Sequence, residues 1–532
     1  MAGEEFDYIV AGAGSAGCAL ANRLSADAGN RVLLLEAGGR DTYPWIHIPV
    51  GYFKTMLNPK TDWCYQTEPD PGLNGRSIPW PRGKVLGGSS SINGLVYIRG
   101  QSHDYDQWRQ LGNAGWAWDD VLPYFMRAED NERGANATHG EGGPLGVSDV
   151  GFSRGFSDAF IDAAEEIGIP RTNDFNSGDQ EGAGYFQLTT KNGRRCSAAV
   201  GYLKPIKDRA NLTIATGAQV RRVLFDGKRA IGIEYDANGQ TTVARAKGEI
   251  VLSLGAIGSP QILQLSGVGP GALLGEFGIP VVRELPGVGE NLQDHLQIRA
   301  VYKTNQPSLN DEVNSLFRKA LIGLEYALFR KGPMTIAAGH VGMFAKTREE
   351  LETPDVQFHF IPLSTKGPGD GLHDFSAFTS SVCQVRPESR GRIVIKSPNH
   401  VDYPAIIPNY LSTEIDRQTI VAGMKMSRKI MATPTMQDLI IEEFLPGLGV
   451  QSDDELLEHA RDNAGTIYHP VGTCKMGNDP MAVVDERLRV RGVDGLRVAD
   501  ASIMPTLVSG NTNAPSIMIG EKASDMVLEE AR

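Results

Sequence analysis

Cysteine is scarce in this chain of 532 residues. The five cysteines are odd in number, widely scattered and include no Cys-x-x-Cys pair. This distribution argues against a disulfide framework and a zinc ribbon, and it favours a reducing compartment. The ten histidines show no metal-binding spacing such as His-Glu-x-x-His, so we expect no metal site.

Long apolar runs and a basic leader are also missing. The longest apolar runs, such as residues 32–35, are far shorter than the ~20 residues that span a bilayer. The N-terminus carries Glu4 and Glu5 where a secretory signal would carry Lys or Arg. We therefore expect a cytoplasmic protein. Attachment to the inner face of a membrane would leave no such mark and stays open.

A surplus of positive charge is absent as well. The 52 Lys and Arg residues face 64 Asp and Glu residues, which gives a net charge of -12 and argues against nucleic-acid binding. With 41% hydrophobic and 22% charged residues the composition is that of a globular protein. At about 150 residues per domain, the length predicts roughly three domains or two large ones. No Pro/Ser-rich linker separates two halves, so we expect interleaved domains.

The first 36 residues carry a nucleotide-binding pattern. A strand at residues 6–10, the turn GAGSAG at 12–17, a helix at 18–24 and a second strand ending at Glu36 follow one another. This βαβ order binds the ADP half of a dinucleotide, and Glu36 can accept the ribose hydroxyls. An acid at this position disfavours a 2′-phosphate. The unit by itself leaves NAD and FAD both open.

Further elements are predicted downstream. Strands at 250–254 and 496–500 and a helix at 514–530 indicate that the chain returns to the nucleotide domain. Residues 302–463 form a separate layer, with a helix at 314–329 and strands at 356–361 and 391–395. The glycine cluster at 255–269 is expected to be a loop. Arg194-Arg195 could neutralise a phosphate, although we expect a solvated surface pair.

Two long glycine-rich segments lead to a family resemblance. The first begins GKVLGGSSSING at residue 83, and the second begins GAIGSPQILQLSGVG at residue 255. Three shorter matches follow them: GVGENLQDH (287–295), YHPVGTC (468–474) and VADAS (498–502). Over essentially its whole length the chain resembles the glucose–methanol–choline (GMC) family of flavoprotein oxidoreductases. The resemblance implies an α/β plus α+β fold. A Rossmann-like FAD-binding domain (1–155, 212–300 and 464–532) would be interleaved with an antiparallel-sheet substrate-binding domain capped by helices (156–211 and 301–463).

The resemblance also implies FAD and the residues that bind it. These are Gly12, Gly14, Ser15, Glu36 and Ala37 at the ADP end, Gly83, Gly87, Gly88 and Asn93 around the flavin, Val220 at the adenine, Asp500 and Ala501 near the pyrophosphate and ribityl chain, and Thr512. Some choline oxidases carry a histidine at the position of Ile92 that bonds covalently to the flavin. Isoleucine cannot do so, and we expect non-covalent FAD.

Catalysis is assigned through the same resemblance. His469 lies in the family's His-Pro-x-Gly-Thr motif, and a histidine suits a base at neutral pH. Asn513, 44 positions later, occupies the place where relatives are expected to carry histidine or asparagine; its amide would orient the alkoxide but cannot be the base. Tyr468 is expected to shape the substrate pocket, although a packing role is equally open.

The expected activity is oxidation of a primary alcohol, aliphatic or polyether in type, to the aldehyde by hydride transfer to flavin N5. Electrons would pass to a quinone or another acceptor. Among relatives, the sequence is most similar to bacterial dehydrogenases of aliphatic primary alcohols. Choline dehydrogenase or oxidase, another oxygen-using alcohol oxidase, and a hydroxynitrile-type lyase with non-redox FAD are the alternatives. Choline would need an aromatic cage with a carboxylate, for which no local motif exists. The sequence does not indicate an oligomeric state.

Overall fold

The computed structural model describes residues 4–367 and 371–531. Within these ranges the chain folds around two seven-stranded sheets, each with its own hydrophobic core. The helices are α1 (Ser15–Leu24), α2 (Tyr52–Thr55), α3 (Ser102–Gln110), α4 (Trp118–Ala128), α5 (Gly155–Glu166), α6 (Gly255–Leu265), α7 (Gly271–Glu276), α8 (Leu309–Asn314), α9 (Leu316–Phe329), α10 (Glu414–Met431), α11 (Pro434–Gln437), α12 (Asp453–Asn463) and α13 (Asn513–Glu530).

The strands follow the same chain order. They are β1 (Glu4–Ala11), β2 (Val32–Glu36), β3 (Tyr65–Gln66), β4 (Pro79–Trp80), β5 (Glu129–Asn131), β6 (Leu145–Val147), β7 (Gly182–Tyr185), β8 (Thr190–Lys191), β9 (Arg194–Arg195), β10 (Leu212–Thr216), β11 (Ala218–Asp226), β12 (Arg229–Ala237), β13 (Gln240–Leu252), β14 (Val268–Gly269), β15 (Arg283–Glu284), β16 (Leu296–Thr304), β17 (Val341–Ala345), β18 (Val356–Ile361), β19 (Ala377–Gln384), β20 (Arg392–Val394), β21 (Ala405–Ile407), β22 (Ile440–Leu445), β23 (Gly465–Thr466) and β24 (Leu496–Val498).

The first sheet has the order β10-β2-β1-β13-β12-β11, with β24 beside β13. Strands β10, β2, β1, β13 and β24 pair in parallel, whereas β12 pairs antiparallel with β11 and β13. All five residues of β2 are buried, as expected for a parallel strand covered on both faces. Helix α13 packs against α1, and a Cβ at Gly520 would lie 2.5 Å from the carbonyl oxygen of Ala16. The predicted βαβ unit and the C-terminal return of the chain are both present.

The second sheet is antiparallel, with the order β22-β16-β19-β18-β17-β7 and β23 beside β16. Helices α5, α10 and α12 share a hydrophobic core with it. Helix α10 approaches β19 closely, because a Cβ at Gly423 would lie 2.9 Å from Cγ2 of Val382. The predicted fold class, a Rossmann-like unit with an antiparallel-sheet unit capped by helices, is confirmed.

The predicted division into two discontinuous domains stays a prediction, and two strands lie across its boundaries. Strand β16 begins at Leu296, before the predicted boundary at 301, and β23 begins at Gly465, after the boundary at 464. Both belong to the second sheet because each pairs with its strands.

One local prediction was wrong. Residues 255–265 form helix α6 rather than a loop, and apolar and amide side chains bury nearly all of this segment. The helix predicted over 314–329 is present as α9, which begins two residues later because the Ser315 hydroxyl accepts the amide N–H of Arg318. Among the described residues, no helix combines the length and the hydropathy that crossing a membrane requires.

Candidate active site

A cavity of about 750 Å³ lies between the two sheets and is lined by both. The predicted site residues that border it are Gly12, Gly14, Ser15, Glu36, Ala37, Gly83, Gly88, Asn93, Val220, Tyr468, His469, Asp500, Ala501, Thr512 and Asn513. Gly87 is the one predicted site residue that does not border the cavity in the described part of its wall. Its amide N–H donates to the carbonyl of Ala13 at 2.8 Å, so Gly87 shapes the loop behind that wall.

Three helices begin at the cavity wall: α1 at Ser15, α6 at Gly255 and α13 at Asn513. No side chain caps the N-terminus of α1 or α13, so first-turn amides of these two helices stay available to a ligand. In α6 the Asp500 carboxylate accepts the Gly255 amide at 2.9 Å. Gly14 leaves room for a ligand, since a Cβ built there meets only the carbonyl oxygen of Ser253, at 4.0 Å. Helix N-termini attract anions, and the pyrophosphate of a dinucleotide fits this wall.

Glu36 provides the acceptor that a ribose needs. Its carboxylate oxygens accept the amide N–H of Ala13 at 3.1 Å and that of Gly38 at 2.8 Å. Burial raises the pKa of Glu36 to about 7, and the two amides oppose that rise. Each oxygen keeps a further lone pair for a ribose hydroxyl.

Arg195 supports the glycine-rich loop that ends at Asn93, although the sequence predicted a solvated surface position. Its guanidinium is fully buried and donates to the carbonyls of Ile46 at 2.7 Å and Ser90 at 3.1 Å, and to Oδ1 of Asn93 at 2.6 Å. The prediction was wrong because these acceptors lie 102 to 149 residues away in sequence. The anion site, the ribose acceptor and this loop together fit FAD.

His469 is buried at the other end of the cavity, directly after Tyr468. Tyr468 has φ +72°, a left-handed conformation that costs a non-glycine residue about 1 kcal/mol or more. Three hydrogen bonds hold this turn: Tyr468 N donates to Thr466 Oγ1 at 2.6 Å, Arg82 donates to the Tyr468 carbonyl at 2.5 Å, and His469 N donates to Asp294 Oδ1 at 2.7 Å. The backbone on both sides of the catalytic candidate is therefore fixed.

A chain of hydrogen bonds fixes where the imidazole protons lie. The Val385 carbonyl, 3.2 Å from His295 Nε2, can only accept, so His295 carries its proton on Nε2. His295 Nδ1 is then an acceptor, and His469 Nδ1 donates to it at 3.0 Å. A neutral His469 is left with an unprotonated Nε2 beside the cavity. This is the form that a general base requires.

Asn511, rather than Asn513, contacts the other nitrogen of that imidazole. Asn511 Nδ2 donates to His469 Nε2 at 3.1 Å, and Asn511 Oδ1 accepts from Gln357 Nε2 at 3.2 Å. Asn513 instead accepts the hydroxyl of Ser15 at 2.8 Å. The predicted pairing of His469 with Asn513 is corrected on this geometry, because Asn513 is the first residue of α13 and its side chain faces α1.

The histidines at this end of the cavity are uncharged at neutral pH. Burial lowers the pKa of His469 well below its usual 6.5, and His359 and Arg82 lower it further. Burial likewise lowers the pKa of His295 to about 3 and that of His359 to about 4. His469 is thus neutral and able to accept a proton.

Carboxylates are few in the cavity wall. Among the described lining residues they are Glu36, Asp462 and Asp500. Asp500 accepts the Gly255 amide at 2.9 Å and the Ser259 hydroxyl at 2.6 Å beneath α6, and Asp462 accepts from Asn74 in an exposed position. The carboxylate in contact with His469, that of Asp294, is buried behind the described wall and accepts the backbone N–H of His469.

Sequence reasoning missed Asn511, His295, His359 and Arg299. Asn511 lies in the same short run as Asn513, and only the start of the helix decides which of them faces His469. The other three lie on or next to strands of the second sheet. The period-2 pattern of β16 could have placed Arg299 on one face with Gln297 and Val301, all of which line the cavity.

Two family models match this chain, both described as GMC oxidoreductase, over residues 6–297 and 387–520. An alcohol dehydrogenase (acceptor) of Pseudomonas putida is 46% identical over 529 residues, covering 99% of this chain and 96% of that protein. An oxygen-dependent choline dehydrogenase of Vibrio vulnificus is 44% identical over 533 residues, covering 99% and 95%. An FAD-dependent oxidoreductase from Chaetomium thermophilum superposes with a TM-score of 0.91 at 28% identity, covering 99% of this chain and 100% of that one.

Proposed function

Because this chain belongs to the GMC oxidoreductase family, we propose that it oxidises a primary alcohol to the aldehyde, with His469 as the base. It is an FAD-dependent oxidoreductase acting on CH–OH groups. What the proposal adds is the class of alcohol, the roles of individual residues and the fate of the electrons.

The observation that carries the proposal is the pair formed by His469 Nε2 and Asn511 Nδ2, 3.1 Å apart beside the cavity. An alcohol hydroxyl that replaces this contact would donate its proton to the unprotonated Nε2 and accept a hydrogen bond from the Asn511 amide in its place. As the proton leaves, negative charge grows on the alcohol oxygen, and the Asn511 amide stabilises it. His469 takes the proton, and His295 Nδ1 continues to accept from the imidazolium.

FAD, when bound, accepts the hydride that leaves the alcohol carbon. We assign its ADP end to Gly12, Gly14, Ser15, Glu36 and Ala37, with Val220 at the adenine. The remaining contacts are assigned to Gly83, Gly88, Asn93, Asp500, Ala501 and Thr512. Ile92 lines the cavity and has no nucleophilic atom, so FAD would be held without a covalent bond.

An alcohol without a positive charge, aliphatic or polyether in type, is better supported than choline. Binding a quaternary ammonium calls for a cage of aromatic rings or a nearby carboxylate. The cations among the described lining residues are Arg76, Arg82, Arg299 and Lys366. Aromatic side chains, among them those of Trp63, Tyr65 and Tyr403, line the cavity as well. The excess of cations disfavours a trimethylammonium group.

For the electrons we propose an acceptor that is reached at a membrane surface, a quinone in the first place. Helix α9 exposes one apolar face formed by Leu316, Phe317, Leu321, Leu324 and Leu328, of which Leu316 is 86% and Phe317 73% exposed. The basic residues Arg318, Lys319, Arg330 and Lys331 lie on or just after this helix and are exposed. An apolar face with basic flanks on a chain of net charge -12 suits an anionic lipid surface.

The position of α9 links that surface to the cavity. Asn310 in the preceding helix α8 donates to the carbonyl of Ser364 at 2.9 Å, and the next residues, Thr365 to Gly367, line the cavity.

We expect the protein to sediment with vesicles that contain phosphatidylglycerol and less with neutral vesicles. Replacing Leu324 and Leu328 by Asp should abolish this binding. Binding of the variant to vesicles as strong as that of the parent protein would assign the apolar face of α9 to something other than lipid. The same conclusion would follow if the parent protein bound no vesicles and the variant had half the parent's mass in solution.

Anaerobic mixing of the flavin-loaded protein with alcohols tests the proposed activity. We expect 1-octanol to bleach the flavin absorbance and choline to do so far more slowly. Recolouring in air slower than recolouring by a soluble quinone supports a dehydrogenase, whereas fast recolouring in air assigns an oxidase. A flavin that stays yellow with every alcohol tested, including polyether alcohols, would contradict the proposal.

A further inference from the structure

Arg299 is a cationic side chain in the substrate part of the cavity that the proposed reaction does not use. It lies on β16, half-buried, and lines the cavity with Gln297 and Val301 on the same face of the strand. Its described side-chain hydrogen bond is one long contact of 3.5 Å from Nη1 to the hydroxyl of Thr365. No ion pair joins it to a carboxylate of the described residues.

The guanidinium of Arg299 has few hydrogen-bond partners among the described residues. Arginine has five N–H donors, and a fully buried arginine is almost always paired. Arg195, on the cofactor side, shows the usual case, since backbone carbonyls and an amide satisfy it. Arg299 is half-buried, so its donors face the open cavity rather than the protein interior. Arg299 keeps nearly all its donors for something that enters the cavity.

The register of the second sheet relates Arg299 to the catalytic end. Arg299 is paired with Ser381 on β19, and Ser381 is paired with His359 on β18. All three line the cavity in one row across the sheet. Two strand spacings separate Arg299 from His359, so their backbones lie roughly 10 Å apart.

His359 belongs to the cluster around the base, since Asn511 contacts both it and His469. The Arg299 charge also acts on the phenols of Tyr52 and Tyr468, and Tyr468 directly precedes the base. Burial raises the pKa of both tyrosines, and Arg299 offsets part of that rise. A molecule with its hydroxyl at His469 thus has its far end within reach of the guanidinium.

We propose that Arg299 binds an anionic group, a carboxylate in the first place, at the far end of the alcohol, and that the substrate class is a hydroxy acid with a terminal primary alcohol. Guanidinium and carboxylate form paired, charge-assisted hydrogen bonds in a fixed geometry. Such a pair would hold the alkyl chain along the sheet and bring the hydroxyl to His469 and Asn511. The inference rests on the proposed alcohol oxidation and adds the recognition of the other end of the substrate.

Three alcohols of matched length test the proposal in the flavin-loaded protein. They are 6-hydroxyhexanoate, its neutral isostere 6-hydroxyhexanamide, and the cationic 6-amino-1-hexanol. We expect kcat/KM for flavin reduction to fall in that order, with the acid about 10- to 100-fold above the amide, the range of a charge-assisted hydrogen bond. Equal kcat/KM for acid and amide would overturn the proposal.

Variants at Arg299 assign the effect to this side chain. Arg299→Gln should lower kcat/KM for the acid about 10- to 100-fold and leave the amide nearly unchanged, and Arg299→Glu should make the amine the best of the three. Arg109→Gln, a change at an exposed arginine, is the matched control and should alter none of them. A loss shared equally by all three alcohols in Arg299→Gln would mean a structural role and overturn the proposal.

Binding of hexanoate separates this inference from the proposed function. Hexanoate has no hydroxyl, so calorimetric titration of the flavin-loaded protein reports the anion subsite without catalysis. We expect it to bind the parent protein and to bind Arg299→Gln about tenfold or more weakly, with hexanamide binding neither well. If no alcohol bleaches the flavin while hexanoate binding depends on Arg299, the proposed oxidation fails and the anion subsite stands. If hexanoate binds both proteins alike, the subsite fails whatever the activity.

Discussion

His295 Nδ1 lies 3.0 Å from His469 Nδ1, although the two residues are 174 positions apart in sequence. Because the Val385 carbonyl fixes the proton of His295 on Nε2, this contact holds the proton of His469 on Nδ1 and leaves Nε2 unprotonated. His295 is therefore a positioning residue in the proposed reaction, acting through the tautomer of the base.

Replacing His295 separates this role from packing. His295→Phe removes the acceptor and should lower the rate of flavin reduction about 100-fold or more, because His469 can then place its proton on Nε2. His295→Asn keeps an acceptor near the position of Nδ1 and should retain much of the rate. His295 accepts from the imidazolium, so its loss in the Phe variant should lower the pKa of His469 and move the acid limb of kcat/KM to lower pH. Equal losses in both variants with no movement of the pH profile would indicate packing alone.

Asn511 and Asn513 form a matched pair for mutagenesis. Asn511→Ala should slow flavin reduction about 10- to 100-fold, since a hydrogen bond to developing negative charge is lost. Asn513→Ala removes the contact with the Ser15 hydroxyl and should change the rate much less. Single-turnover absorbance measurements compare them directly. A larger effect at Asn513 would restore the original sequence assignment.

Glu36 should make FAD binding depend on pH. The pKa of this carboxyl is raised by burial to about 7, whereas ribose hydroxyls bind best to the ionised form. Affinity for FAD should therefore increase as pH rises toward and through 7, and fall by up to about tenfold per pH unit below it. Titration of the apoprotein by flavin fluorescence measures this, and Glu36→Gln should be nearly independent of pH. A profile as steep in Glu36→Gln as in the parent would assign the dependence to another group.

Buried neutral histidines should make the fold sensitive to acid. Burial lowers the pKa of His340 to about 4, while the unfolded chain takes up its proton near 6.5. This pKa difference stabilises the fold fully above pH 6.5, and the stabilisation is lost as pH falls toward 4. At pH 5 the free energy of unfolding is lower by about 2 kcal/mol because of this one group. Denaturant unfolding at pH 7 and pH 5 should show the loss, and His340→Gln should reduce it. An equal loss in that variant would place the sensitivity elsewhere.

Much of the fold could be predicted from the sequence because its signals are local. The strand–turn–helix–strand order of the first 36 residues depends on residues next to one another, and the structure has it as β1, α1 and β2. The base candidate was also local, since it lies in a short motif. Its neighbours were not, because His295 and Arg299 reach the cavity through strand pairing in the second sheet.

The errors have physical causes that a single sequence hides. Asn511 and Asn513 differ only in which side of a helix start they occupy. Arg195 looked like a surface residue because the carbonyls that accept its hydrogen bonds come from distant segments. Arg299 belongs to no sequence motif, and its proposed role depends on the lack of a carboxylate or carbonyl partner among the described residues.

The reduction of the bound flavin by an alcohol deuterated at its reacting carbon tests the central claim most directly. The measurement is anaerobic stopped-flow absorbance with the parent protein and with His469→Ala, using 1-octanol and 6-hydroxyhexanoate. We expect bleaching that is slower with the deuterated alcohol, because hydride transfer breaks that bond, and slower by about 100- to 10,000-fold in His469→Ala, because the proton has no base to accept it. Bleaching of the His469→Ala variant at the parent rate would contradict the assignment of the base, and a parent protein that no alcohol bleaches would contradict the proposed function.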